Sequence, residues 1–216
     1  MRIPVEKRRE LLLDSAFHVI ARGGVDGATT RAICANAGVT LSTFHYVFES
    51  REALLAALVQ RGVTVELEAV TEALAEGASV GTRGRTGVEQ MLYGALSAYI
   101  DGVVADPDRE QAMIALNQYA RQTDGLREFG AQMYHAYYDA IADGLDAAAA
   151  LAGMSWTTPV RDLAPLVVAA TDGITLSYLN IRDVAVCRTI ARATTTLLLT
   201  HVTDAIDAGG THGHQS

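Results

Sequence analysis

Between Thr29 and Phe48 the chain concentrates side chains suited to a phosphate oxygen or the edge of a base. Thr40, Leu41, Ser42, Thr43, His45 and Tyr46 supply hydroxyls, an imidazole, a phenol and one apolar tip, with no carboxylate among them. Phe44, Val47 and Phe48 recur at helical spacing, so a helix here buries one face and turns the hydroxyl-bearing face outward. Just upstream, Thr29 suits an N-cap, Ile33 is an apolar anchor, and Gly38 stands where a helix ends with positive φ. Two short helices joined by a tight turn, the second with an uncharged polar face, have the geometry that enters a DNA major groove. Thr30 and Arg31 open the first of them with a hydroxyl, free N–H groups and a guanidinium, a set suited to phosphate. Ser50 caps the next helix and places Arg51 in its first turn, where a cation also suits the DNA backbone.

The residue order is more specific than the pattern. Gly38-Val39-Thr40, Thr43-Phe44-His45-Tyr46-Val47-Phe48 and Ser50-Arg51-Glu52-Ala53-Leu54 together resemble the DNA-binding domain of the tetracycline-repressor (TetR) family. The resemblance covers roughly the first quarter of the chain. It implies an all-α fold: an N-terminal three-helix domain with a helix-turn-helix over 1–50, then a helical ligand-binding and dimerisation domain over 51–208. It also implies DNA contacts from Thr30, Arg31, Thr40, Leu41, Ser42, Thr43, His45, Tyr46 and Arg51. His45 stands where the family usually has tyrosine, and Val47 where it has histidine or tyrosine, leaving Tyr46 to replace the tyrosine contact or not.

Charge is divided along the chain. The net charge is −8. Residues 1–61 nevertheless hold eight Lys and Arg against six Asp and Glu, and the remainder holds nine against nineteen. A mildly basic head on an acidic body keeps the wrong face off phosphates. Lys7, Arg8 and Arg9 begin an amphipathic helix running to about Ala21, where they oppose the helix dipole; phosphate contact is their expected task. Only two cysteines occur, Cys34 and Cys187, which make neither a disulfide framework nor a zinc site. No uninterrupted apolar run reaches the ~18 residues of a membrane span, and no signal-type core follows the N-terminus. A cytoplasmic protein with no membrane partner, cofactor or metal is expected.

The rest reads as helices. A helix from Ser50 is expected to reach about Glu76, with Gly62 as a weak point. A glycine-rich loop follows over 77–87, and Gly77-Ala78-Ser79-Val80-Gly81 formally matches a nucleophile elbow. It lacks the preceding strand and following helix that make such a serine reactive, so a serine hydrolase using Ser79 is the weaker alternative and no catalytic residue is assigned. Helices are then expected over about 88–103, 107–122, 126–151, 160–178 and 184–206, with a linker at Gly153–Pro159. The last two are apolar over a wide arc and rich in small residues, which suits packing on two sides and a homodimer interface. The tail 209–216, with His212 and His214, is disordered by composition.

Together these features predict a DNA-binding transcriptional regulator. As a homodimer it would read a near-palindromic operator with half-sites about 34–36 Å apart or more. The resemblance favours a repressor and implies a pocket for a small effector among the central helices. Met91, Tyr99, Met113, Asn117, Met133, Tyr137, Trp156 and Asp172 are its candidate lining, since methionines and tyrosines suit an adaptable, mainly apolar pocket. His135 is a further polar candidate. The alternative from another class is a helical interaction protein without a DNA role.

Overall fold

The computed structural model describes residues 4–62, 64, 83–123 and 127–205. Helix α1 spans Val5–Gly27, but Gly24 at φ 67° breaks it, so the expected stop at Gly23-Gly24 is where the helix turns into the short segment ending at Gly27. Helix α2 is Thr30–Ala37, and its N-cap Thr29 accepts the Ala32 N–H at 3.2 Å. Gly38 closes it at φ 64°, the left-handed conformation that costs glycine nothing. Helix α3 is Leu41–Val47, capped by Thr40, which accepts the Thr43 N–H at 3.3 Å. Ser50 accepts the Ala53 N–H at 3.0 Å and starts helix α4, which covers 51–62 in the described residues. The expected continuation of α4 towards Glu76 and Ser79 lie outside the described residues, as do His212 and His214.

The body follows with α5 (Gly84–Ala105), α6 (Pro107–Gln122), α7 (Arg127–Ala152), α8 (Val160–Ile181) and α9 (Val184–Leu199). Asp106 caps α6 by accepting the Arg109 N–H at 3.0 Å, with Pro107 at the first helical position as expected. Helix α5 starts earlier than its apolar stripe suggests, at Gly84. Helix α9 ends earlier, at Leu199 rather than near Ile206. The reason is a short antiparallel pair, β1 (Met154–Trp156) with β2 (Val202–Asp204). The carbonyl of His201 accepts the Thr157 N–H at 2.8 Å, and Thr158 Oγ1 meets His201 Nδ1 at 2.8 Å. The region expected as a linker is thus a clip that fastens the end of α9 to the end of α7.

Two apolar cores organise the chain. The first joins Leu12, Ile20, Ile33, Phe44, Leu54 and Leu58 from α1–α4, and it continues into Met113 and Leu116 of α6 and Met133 of α7. Core packing therefore extends past the expected domain edge at residue 50. The second joins α5, α7, α8 and α9 through Met91, Ile100, Leu145, Leu163, Ile174 and Leu198. Both cysteines are buried, and burial pushes both thiols up from their ordinary pKa.

Helix α8 corrects one expectation. Counting uninterrupted runs finds no span, yet by length and composition α8 is apolar enough to cross a membrane, with a mean hydropathy of 1.2 over 18 residues. In the fold it packs against α7 and α9, and its polar Asp172 borders a cavity. Its outward side carries Leu166, Leu176 and Ile181, each between 43% and 57% exposed, beside Leu197 of α9 at 48%. Along α9, Thr189, Thr194, Thr195 and Thr196 each donate the side-chain hydroxyl to the carbonyl four residues earlier, all at 2.9 Å.

Candidate nucleic-acid interface and effector cavity

Helix α3 presents its polar face because Phe44 anchors the other one. Phe44 is fully buried, tilts against Phe48 at 5.8 Å between ring centroids, and is met edge-on by His45 at 5.5 Å. That leaves Thr40, Leu41, Ser42, His45 and Tyr46 exposed and Thr43 half-buried; Tyr46 is 60% exposed. Thr40 Oγ1 meets Ser42 Oγ at 2.8 Å and Thr43 Oγ1 at 3.0 Å, so the hydroxyls form one preset cluster at the start of α3. Arg31 is exposed beside them on α2, and Thr30 is half-buried at its first position.

Arg51 is held from below at this surface. Its Nε donates to the Ala28 carbonyl at 2.8 Å and its Nη2 to the Val25 carbonyl. The guanidinium also stands 5.9 Å from the ring centroid of Tyr119 on α6. Two of its donors are thus engaged by the turn after α1, so this cation ties α4, that turn and α6 together. Arg9 behaves similarly, lying 5.3 Å over the Phe48 ring.

The second feature is a cavity of about 310 Å³ between α6, α7 and α8, with Tyr99 of α5 at one side. Tyr99, Met113, Asn117, Met133, Tyr137 and Asp172, all expected in a pocket, come together in its wall. Met91 and Trp156 do not. Met91 is 2% exposed inside the second core, and Trp156 sits on β1 with its indole N–H donating to the Leu145 carbonyl at 2.8 Å. Both were placed by residue type alone, and large apolar side chains serve a core as well as a pocket. His135 is exposed, stacked edge-on with Tyr138 away from this wall.

The cavity also holds groups that residue type did not single out. Tyr134 donates its hydroxyl to Asp172 Oδ2 at 2.9 Å. Burial first, then the adjacent carboxylate, push the Tyr134 phenol up to about 12, so it remains a donor at neutral pH. Burial also raises the Asp172 carboxyl above its usual value, and the Tyr134 bond offsets part of that rise. Glu110 is 2% exposed, and the Arg109 guanidinium answers it through Nη2 at 2.7 Å and Nε at 3.1 Å. Burial raises the Glu110 carboxyl while that bond and charge pull it back. Tyr99 and Thr175 share a hydroxyl contact at 2.6 Å. A signal for Glu110 existed: it lies three residues before Met113 and seven before Asn117, on the buried face of its helix. For the Tyr134–Asp172 pair there was none, because the partners are 38 residues apart.

Residues 12–58 match the family model described as bacterial regulatory proteins, tetR family. That matched segment is similar to the DNA-binding part of the family. A relative from Paenarthrobacter nicotinovorans, the HTH-type nicotine-responsive transcriptional repressor HdnoR, is 24% identical over 178 residues, spanning 82% of this chain and 87% of that one. A transcriptional regulator from Rhodococcus sp. Rha1 superposes with a TM-score of 0.70 at 19% identity, covering 92% of this chain and 98% of its own. The fatty acid degradation regulator FadR from Bacillus halodurans does so at 0.71 and 16% identity, covering 92% and 96%. The chain shares the all-α fold of these regulators with its helix-turn-helix at the N-terminus, and the matched segment is the one that carries α2, α3 and the described start of α4.

Proposed function

We propose that this regulator is a cytoplasmic, ligand-responsive repressor that binds a near-palindromic operator as a homodimer and is released by a small, largely apolar effector. The observation that carries the reading is the first core: it contains both Phe44, which sets the DNA-facing helix, and Met113 and Met133, which line the cavity. Filling the cavity therefore disturbs side chains that also support the reading head. Helix α6 is the direct link, since it packs along α1, lends Tyr119 to Arg51 and forms one cavity wall. This makes α6 the lever between sensor and head. Such coupling is worth typically about 1–3 kcal/mol, or about 5–150-fold in operator affinity.

The exposed leucines of α8 and α9 support dimerisation through those two helices, and two-fold symmetry then accounts for a palindromic site. The nicotine response recorded in the relative's name supports a small-molecule effector for this chain as well. In this scheme Thr30, Arg31, Thr40, Leu41, Ser42, Thr43, His45 and Tyr46 meet DNA and Arg51 positions them. Function is then exercised by binding and release, without a catalytic step.

Selection on random duplex DNA tests the reading. Enrichment of a near-palindrome by a protein that sediments as a dimer, with affinity falling as salt rises, is the expected result. No enrichment at low salt overturns it.

A further inference from the structure

The cavity walls are mainly methionine, aliphatic and tyrosine side chains, so the few charged groups decide what enters. Glu110 carries a charge that Arg109 answers within its own helix. Arg121 lines the cavity one turn beyond Asn117 and has a contact of its own. Asp172 differs from both: among the described residues no Lys, Arg or His pairs with it, and its recorded partner is the neutral Tyr134 hydroxyl on one oxygen. That exposed carboxylate borders a cavity whose lining includes the rings of Tyr99, Tyr134 and Tyr137. Tyr134 stands edge-to-face with Tyr137 and with Tyr138, both at 6.1 Å between centroids, and Tyr137 also lines the cavity. Ring faces beside a carboxylate attract an organic cation through the ring quadrupole and through charge. The raised Tyr134 phenol stays a donor, which orients Asp172 without cancelling its charge.

We infer that the effector of this cavity is an organic cation, a protonated or quaternary amine with an apolar body, held by Asp172 and the tyrosines around it. The inference rests on the ligand-responsive reading above and narrows it to one charge class. A carboxylate ligand would instead be brought against Asp172 with Glu110 buried nearby.

Calorimetric titration of the full chain with three probes of similar shape tests it: N-benzylpyrrolidine as the cation, N-benzoylpyrrolidine as the neutral amide, and phenylbutyrate as the anion. The amine is expected to bind at least about tenfold more tightly than the amide. Asp172→Asn keeps the shape and the bond from Tyr134, and should abolish that preference while leaving amide affinity and the unfolding midpoint unchanged. Equal binding of amine and amide, tightest binding of phenylbutyrate, a preference that survives D172N, or no binding of any probe at millimolar concentration each overturns the inference. Operator release, measured in parallel, separates the two ideas. If phenylbutyrate or the amide releases operator and the amine does not, the charge class fails and the ligand-responsive reading stands. If the amine binds through Asp172 and operator affinity does not move, the charge class stands and the ligand-responsive reading fails.

Discussion

The reading head and the cavity solve opposite problems with similar helices. In the head the helix starts are preset: Thr29, Thr40 and Ser50 cap three successive helices by accepting backbone N–H groups, and Gly38 sets the turn between α2 and α3. Its core is dense, with Phe44, Ile33, Leu12 and Leu54 fully buried. The cavity region leaves space between its helices and buries Glu110, with a half-buried Tyr134 donating to the exposed Asp172 at its edge. A rigid surface suits a fixed target such as a groove of constant width. A partly empty, polar interior suits a partner that comes and goes.

The contrast can be broken at graded cost. Phe44→Ala should be the most damaging change, lowering stability by about 3–5 kcal/mol in chemical denaturation and abolishing operator binding. Arg51→Met should come next. It leaves the Ala28 carbonyl without its side-chain donor and the Val25 carbonyl with the Ala28 N–H alone, and is expected to cost about 1.5–3 kcal/mol, while the salt dependence of operator binding keeps its slope. A slope reduced by about one would instead return Arg51 to the phosphates. Gly62→Ala joins the two regions, because a Cβ there collides with the Met113 Sδ and Cε. Displacing that flexible side chain towards the cavity should cost about 1–3 kcal/mol and weaken effector binding, as calorimetry would register. Tyr46→Ala touches only the exposed face. Stability should stay within about 0.5 kcal/mol while operator affinity falls by about 1–3 kcal/mol.

The smallest effect concerns pH. Asp172 has a folded-state pKa raised above its unfolded value, so the folded protein holds the extra proton in the window just above 3.8. Stability relative to D172N should therefore decline as pH rises through that window, and thermal unfolding of the pair across acidic pH would show it. A rise would mean that the Tyr134 bond outweighs burial.

The same contrast governs what could be read in advance. Helices α2 and α3 were legible nearly to the residue because their limits are local: a cap, an apolar spacing of three or four, and a glycine with positive φ. Six of the eight expected cavity residues also came together, since methionines, tyrosines and a polar residue recurring on one helix face are a local signal too. What escaped depends on elements distant in sequence. The Tyr134–Asp172 bond, the Arg51 attachment to the turn after α1, and the β1–β2 clip each join segments 23 to 50 residues apart. Arg51 shows the limit most clearly: a cation at the start of a helix looks the same from sequence whether it faces a phosphate or two carbonyls.

The threonines of α9 carry one more consequence. Four threonines put hydroxyls into that largely apolar helix, yet each hydroxyl at 189, 194, 195 and 196 is turned back onto its own backbone. What Thr189 and Thr196, both exposed, hold out is then mostly methyl, and no hydroxyl has to be stripped of solvent when another surface approaches. The helix is wet in its lettering and oily to the touch, and hydropathy tables understate how readily such a face shuts out water.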